Sequence, residues 1–293
     1  MRYVASYEQG WTALDLGQQH TVANGTLSVS TAWACSLFAA LGDPQSMLYG
    51  RNFDWDHSPA VFLYADPLEG YASVSMVDIA FLGITAEEAR ALTDLPLADR
   101  RRLLNAPFLP IDGMNERGLA VGMAAVPDGE MLPDPSRQTV GSLEVIRRML
   151  DQAADVDQAL GILQSVNVDM RGGPPVHYLI ADASGRAVLA EFYRGELVLI
   201  PNHLPWHTAT NFLRASVGDS AAGQCWRYDL LEKRLSEAWG QLAPRQAMSL
   251  LQEVSRGNTQ WSIVYGIGDG QVQVAMGRQY EQLHAFDLPL TDQ

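Results

Sequence analysis

A thiol, a guanidinium and a carboxylate fall close together in one stretch of this chain. Cys35 closes an apolar run that begins at Leu27, and Arg51 and Asp54 follow within Gly50-Arg51-Asn52-Phe53-Asp54-Trp55. A cysteine thiolate is a strong nucleophile towards carbonyl carbon, a neighbouring guanidinium favours the thiolate, and a carboxylate can orient an amine. Singly, each has an ordinary reading: free cysteine is commonly a small buried hydrophobe, and Arg with Asp is commonly an ion pair. Brought together by a strand, a turn and a returning strand, they form the set that self-activating attack on an amide needs.

The other residue types offer less. A cysteine and histidine dyad would draw on one of six histidines. His57 follows the motif above, His177 opens a strand, and His203 and His207 flank Pro205-Trp206, outside any cysteine-protease signature. These histidines lack HExxH or paired spacing, and the only cysteines are Cys35 and Cys225, so no metal centre is expected. A disulfide between the two would silence the nucleophile. There is no Walker A run and no well-placed GxGxxG, and Gly266-Ile267-Gly268 leads into a strand, so no nucleotide or other cofactor is expected.

The elements that must position Cys35, Arg51 and Asp54 can be read from the pattern around them. Residues 26–38 are β-branched and apolar, Gly42-Asp43-Pro44 supplies a turn, and residues 46–53 resume an extended pattern: a β-hairpin with Cys35 on its first strand. Residues 69–83 and 118–126 read as strands joined by a charged helical stretch over 85–104. Asp112-Gly113-Met114-Asn115-Glu116-Arg117-Gly118 reads as a tight turn entering a buried strand, with Asn115 a turn residue. Between 142 and 166, Leu143, Ile146, Met149, Leu150, Ala153, Ala159, Leu160 and Leu163 recur at helical spacing. A break near Asp155 predicts two consecutive helices. The period then changes to that of a three-stranded meander over 177–182, 187–193 and 196–201. Helices return over 225–239 and 244–254, and residues 261–276 form a closing hairpin with Gly268-Asp269-Gly270 at its turn. Strands grouped around blocks of helices predict an α+β protein with antiparallel sheets.

Composition agrees with a single globular domain. Of the 293 residues, 47% are hydrophobic and 18% charged, ample for a large core. A net charge of -14, with Lys and Arg outnumbered 20 to 34, argues against nucleic acid and anionic membrane surfaces as partners. Residues 1–25 lack the basic start and apolar core of a secretory signal, and no segment approaches the roughly 20 apolar residues that span a bilayer. A cytoplasmic location is therefore expected.

The run Ala34-Cys35-Ser36, with Arg51 and Asp54 sixteen and nineteen residues beyond the cysteine, resembles the N-terminal-nucleophile hydrolases of the choloylglycine hydrolase and penicillin V acylase type. The related isopenicillin N acyltransferase and acid ceramidase group shares the resemblance. The Asp112 to Leu119 segment, Thr210-Asn211 and Cys225-Trp226-Arg227-Tyr228 match in order, so it extends from about Leu27 to the C-terminal hairpin. It implies a four-layer αββα sandwich of two antiparallel sheets. It also implies a self-inflicted cut before Cys35, whose freed α-amino group becomes the base for its own thiol. Reference pKa values of ~8.5 for the thiol and ~7.7 to 8 for the amine suit that exchange. By the same resemblance Arg51 lies against the sulfur and Asp54 orients the amine. Asn211 gives a side-chain amide to the oxyanion hole and Ala125 a backbone N–H, and Arg227 balances charge near the nucleophile. Relatives often carry Asn or Tyr at the place of Ala125; alanine keeps the N–H and removes a side-chain contact to substrate.

On this reading residues 1–34 are a propeptide and 35–293 the mature catalytic domain. Residues 27–33 hold the scissile bond in the sheet, with Trp33 in part of the later pocket; the alternative is a mature N-terminal arm of an inactive paralogue. The implied activity is hydrolysis of a linear amide C–N bond in an N-acylated small molecule, through a thioester on Cys35 and without a cofactor. Acyl transfer from the same thioester, or a catalytically silent binding protein on the same fold, are the alternatives. Apart from substrate, the one partner entertained is a further copy of the chain. Loops 55–63 and 126–135 read as walls of an apolar pocket.

Overall fold

The computed structural model describes residues 2–3, 34–56 and 59–291. The expectations for residues 4–33, Trp33 among them, lie outside that range. After β1 (Arg2–Tyr3), β2 (Ala34–Ala40) and β3 (Leu48–Asp54) form the expected hairpin, with Cys35 opposite Phe53 and Leu37 opposite Arg51. Every residue of both strands is buried. Covered on both faces, they read as nearly continuous apolar runs rather than an alternating pattern.

β4 (Ala60–Pro67) and β5 (Ser73–Asp78) come next, then α1 (Ala86–Arg90), α2 (Leu97–Arg100) and a 3₁₀ segment, Arg101–Phe108. Two expectations are corrected here. Residues 60–63 are strand rather than pocket loop, with Val61 and Leu63 packed on a small core of Val77, Ile79 and Ile84. The helical stretch expected over 85–104 is broken between α1 and α2, because Pro96 lacks an N–H and biases Leu95 before it away from helix.

β6 (Pro110–Asn115) and β7 (Ala120–Ala125) confine the expected turn to residues 116–118. Asp112-Gly113-Met114-Asn115 is turn-like in composition yet forms buried strand, since its polar side chains find partners inside. Gly118 has φ of 74°, and a Cβ there would meet Ile267 O at 2.3 Å, so the tight turn requires glycine.

The outer helices follow the sequence pattern closely. β8 (Gln138–Gly141) precedes α3 (Glu144–Gln152) and α4 (Val156–Ser165), and Asp155 caps α4 by accepting the Gln158 N–H at 2.8 Å. β9 (Val166–Asp169) pairs with β8 in a small parallel ribbon. β10 (Val176–Ala181), β11 (Ala187–Tyr193) and β12 (Glu196–Pro201) are the meander. β13 (Trp206–Ala209), α5 (Arg214–Val217), α6 (Trp226–Glu237) and α7 (Pro244–Glu253) lead to the hairpin of β14 (Thr259–Gly266) and β15 (Gln271–Met276), and then to β16 (His284–Asp287).

Two sheets organise these elements. One has eight strands in the order β1-β4-β5-β6-β7-β10-β11-β12, antiparallel apart from the β1–β4 pair, and the other has six in the order β13-β2-β3-β14-β15-β16. Leu37, Tyr49, Met76, Ile111, Leu179, Leu189 and Ile263 fill the space between them. Ile146, Met149 and Leu150 of α3 with Leu163 of α4 cover the outer face of the larger sheet. Leu231 and Leu235 of α6 with Leu251 of α7 cover that of the smaller. Each such buried side chain contributes roughly 1.5–3 kcal/mol. The result is a four-layer α+β sandwich. Among the described residues no helix is long and apolar enough to cross a membrane.

Candidate active site

The β2–β3 hairpin presents its polar side chains to two opposite faces, as alternation along a strand dictates, and a backbone N–H at its edge. Cys35 and Arg51 lie on the face between the sheets, where Arg51 Nη2 donates to Cys35 Sγ at 3.5 Å. Asp54, three positions beyond Arg51, falls on the opposite face, towards the helices. The backbone nitrogen of Cys35 lies between, donating to Asn211 Oδ1 at 2.7 Å.

Arg51 is fixed from behind. Its Nη1 donates to Ile111 O at 2.9 Å and to Asp112 Oδ2 at 2.8 Å, and its guanidinium lies 5.0 Å from the Phe53 ring centroid. Burial disfavours the cation, but Asp112 and the Cys35 sulfur outweigh it and hold Arg51 above its ordinary pKa. Asp112 in turn accepts from Tyr265 Oη at 2.5 Å and Trp261 Nε1 at 3.3 Å, two side chains on one face of β14. Asp112 is a site residue that sequence reading assigned to a turn.

Asn211 follows the end of β13 and joins Cys35 to the other sheet. Its Nδ2 donates to Ala125 O at 2.8 Å, and its Oδ1 accepts from Arg227 Nη2 at 2.8 Å as well as from Cys35. Arg227, at the start of α6, also donates through Nη1 to Cys35 O and, at 2.9 Å, to Ser36 Oγ. The direction of the Ala125 N–H follows from register. Val126 N–H donates to Pro175 O, so the N–H and C=O of Ala125 turn the other way, towards β6, whose ladder with β7 reaches only Asp112↔Gly122 among the described residues. That N–H and the Asn211 amide therefore lie on one side of the strand.

Asp54 accepts from Thr259 Oγ1 at 2.5 Å through Oδ1. Its Oδ2 has no hydrogen-bond partner among the described residues and faces Arg227 at 4.0 Å. Burial pushes its pKa up to about 6, against the opposing pull of Thr259 and the arginines. The five other residues singled out from the sequence thus gather around Cys35: Arg51 and Asp54 from β3, Ala125 from β7, Asn211 beyond β13 and Arg227 on α6. Cys35 and Cys225 are both free thiols, so no disulfide blocks the site. Among the described residues no cluster of His, Cys, Asp or Glu could hold a metal ion.

A buried thiol held by an arginine, beside a side-chain amide and a strand N–H, is equipped for acyl chemistry, and the comparisons agree on its class. The fold is similar to that of a variant of conjugated bile acid hydrolase from Clostridium perfringens, with a TM-score of 0.63 and 15% identity over 87% of this chain and 92% of that one. It is also similar to that of penicillin V acylase from Agrobacterium tumefaciens, with a TM-score of 0.60 and 14% identity over 87% and 86%. No curated protein matches the sequence. The family model for linear amide C-N hydrolases of the choloylglycine hydrolase family matches residues 35–208, and the chain belongs to that family. It is accordingly an amidohydrolase acting on linear amides.

Proposed function

We propose that this protein is a zymogen that cuts itself between Ala34 and Cys35 and then hydrolyses N-acylated small molecules through a thioester on Cys35. The observation that carries the reading is the double hold on Cys35, with Arg51 against its sulfur and Asn211 against its nitrogen. In the continuous chain that nitrogen belongs to an amide and has no basic lone pair to offer the thiol. Cys35 Sγ attacks the Ala34 carbonyl carbon, the thiol proton passes to the departing nitrogen, and water hydrolyses the resulting thioester. This leaves a carboxylate on Ala34 and both a free amine and a thiol on Cys35.

In turnover the amine takes the thiol proton as sulfur attacks the substrate carbonyl. Developing negative charge on the carbonyl oxygen is met by the Ala125 N–H and by Asn211 Nδ2, whose second hydrogen is not needed for Ala125 O. Collapse expels the substrate amine with that proton, and water releases the acid. Asp54 Oδ2 receives the newly formed ammonium, and Arg227 holds Asn211 and the Cys35 carbonyl. The family match beginning at Cys35 supports the same boundary between propeptide and mature domain. Two free thiols suit a reducing compartment, for which we infer the cytoplasm.

The test is intact mass and N-terminal sequencing of purified protein, followed by trapping of an acyl adduct on Cys35 with a slow substrate. Conjugated bile acids and penicillin V, named for the two structural neighbours, are the first amides to try beside simple N-acyl amides of graded length. A mature chain starting at Cys35 is expected. Cys35→Ala should block both cleavage and turnover, and Cys225→Ser should leave both largely intact. Full activity in a chain still joined at Ala34 would overturn self-activation, and an uncut, inactive wild-type protein would favour a silent binding role.

A further inference from the structure

The side chain of Asn211 is held by Cys35, Arg227 and Ala125, but its backbone lies on a stretch outside regular structure. It lies beyond the last residue of β13, which among the described residues is an edge strand paired only with β2, and ahead of the single turn of α5. A donor to a developing oxyanion must be held in place before the reaction, because its value lies in not having to reorganise. The structure fixes this stretch through a residue that the chemistry above does not use.

Glu191, on β11 of the opposite sheet, is fully buried. Its Oε1 accepts the backbone N–H of Arg214 at 2.9 Å, and its Oε2 accepts that of Ala215 at 2.7 Å. His177 Nδ1, on β10, lies 2.9 Å from Oε1, and with a carboxylate on that side the ring carries a hydrogen there. Burial opposes the charge, yet His177 and the two backbone donors together hold Glu191 below its ordinary pKa. His177 Nε2 is buried and has no partner among the described residues, so within that set the ring serves Glu191 alone.

A buried carboxylate is costly unless fully bonded, and an apolar residue would avoid that cost. What the carboxylate does that an apolar residue cannot is grip two successive N–H groups just past Asn211. On the other flank, His207 Nε2 bonds Ile200 O of β12 at 2.9 Å. The stretch from His207 to Ala215 is thus tied at both ends to the eight-stranded sheet, which also carries Ala125.

We propose that Glu191, itself set by His177, is a positioning residue: it fixes the segment bearing Asn211 to the sheet bearing Ala125, so that the two oxyanion donors keep their mutual geometry. This rests on the oxyanion reading of Asn211. Glu191→Gln keeps the shape and one acceptor but turns an amide N–H towards a backbone N–H. It should lower kcat per cleaved chain about tenfold while KM stays within about twofold. In an Asn211→Ala background the same change should alter kcat by less than about twofold, since the group it positions is gone.

A second variant leaves Glu191 and the core untouched. Arg214→Pro deletes one of the gripped N–H groups at the first position of α5, where proline is favoured, and Leu213 before it is already extended, with φ of -81° and ψ of 115°. Arg214→Ala keeps that N–H and measures the loss of the side chain's bond to Tyr228 Oη. Arg214→Pro should reproduce the Glu191→Gln loss in kcat beyond whatever Arg214→Ala costs. If Asn211→Ala alone leaves kcat unchanged, the oxyanion reading fails and takes the proposal with it. If Asn211→Ala lowers kcat but the losses simply add, or the Glu191 and Arg214 variants lower only Tm, the positioning role alone is overturned.

Discussion

Of the two carboxylate oxygens of Asp54, one is bonded to Thr259 and the other faces Arg227 without a hydrogen bond. Its pKa of about 6, raised from 3.8, means that the folded, uncut chain binds a proton here more tightly than the unfolded chain does. Stability from this group is therefore fully present below about pH 4 and is lost as pH rises through about 6. A shift of that size corresponds to at most about 3 kcal/mol. In an uncleavable Cys35→Ala chain, Asp54→Asn should raise Tm at pH 8 and change it little at pH 4. Equal destabilisation at both pH values would show that the carboxylate is not under strain. In cleaved protein the same substitution should impair turnover, because on the proposed mechanism the Cys35 ammonium loses its counter-charge. Asn211→Ala should lower kcat by about two orders of magnitude with a smaller change in KM, as expected of a donor that acts mainly in the transition state. Steady-state kinetics on fully cleaved protein checks this, and an unchanged kcat would move the oxyanion hole elsewhere.

Asn115 shows how one side chain can join two elements. Its Nδ2 donates to Leu150 O and Ala153 O at the end of α3, and its Oδ1 accepts the N–H groups of Arg117 and Leu119 in the turn before β7. Asn115→Ala leaves four backbone groups, three of them buried, short of a partner and should cost about 2–4 kcal/mol, measurable by urea unfolding. A loss below 0.5 kcal/mol, on the order expected for an exposed turn, would reject that bridging role. Such cases mark where the sequence stops being legible. The Cys35 hairpin, the α3–α4 pair and the closing hairpin could all be read, because local period and turn residues point the same way as the tertiary structure. β4 was hidden behind Asp56 and Pro59, which read as loop, and β13 is four residues beside Pro205. Asp112 and Asn115 carry turn-forming side chains whose inward bonds, to Arg51 and to α3, come from residues far along the chain. Glu191 and Thr259 belong to the same category: nothing near them in sequence signals that each bonds a part of the site.

Across the whole molecule, the order of strands in space departs from their order in the chain. β2 and β3 sit between β13 and β14, so the hairpin carrying Cys35 is flanked by strands from the last third of the sequence. Arg227 reaches back 192 positions to Cys35, and Thr259 reaches back 205 to Asp54. Pairing over such separations is entropically costly and forms late. A chain ending at Asn258, which lacks β14, should therefore keep its Ala34–Cys35 bond, and a gel of the truncated product checks this; cleavage in that chain would mean that the smaller sheet is not needed for self-activation. Synthesis runs from the N-terminus at ~5–20 residues per second, so tens of seconds separate translation of the thiol from translation of the strand that completes its surroundings. On the proposed mechanism the nucleophile is made early and armed last. On the ribosome Cys35 is an ordinary internal cysteine, and under that proposal a polypeptide released before its final hairpin carries the reactive residue without becoming an enzyme.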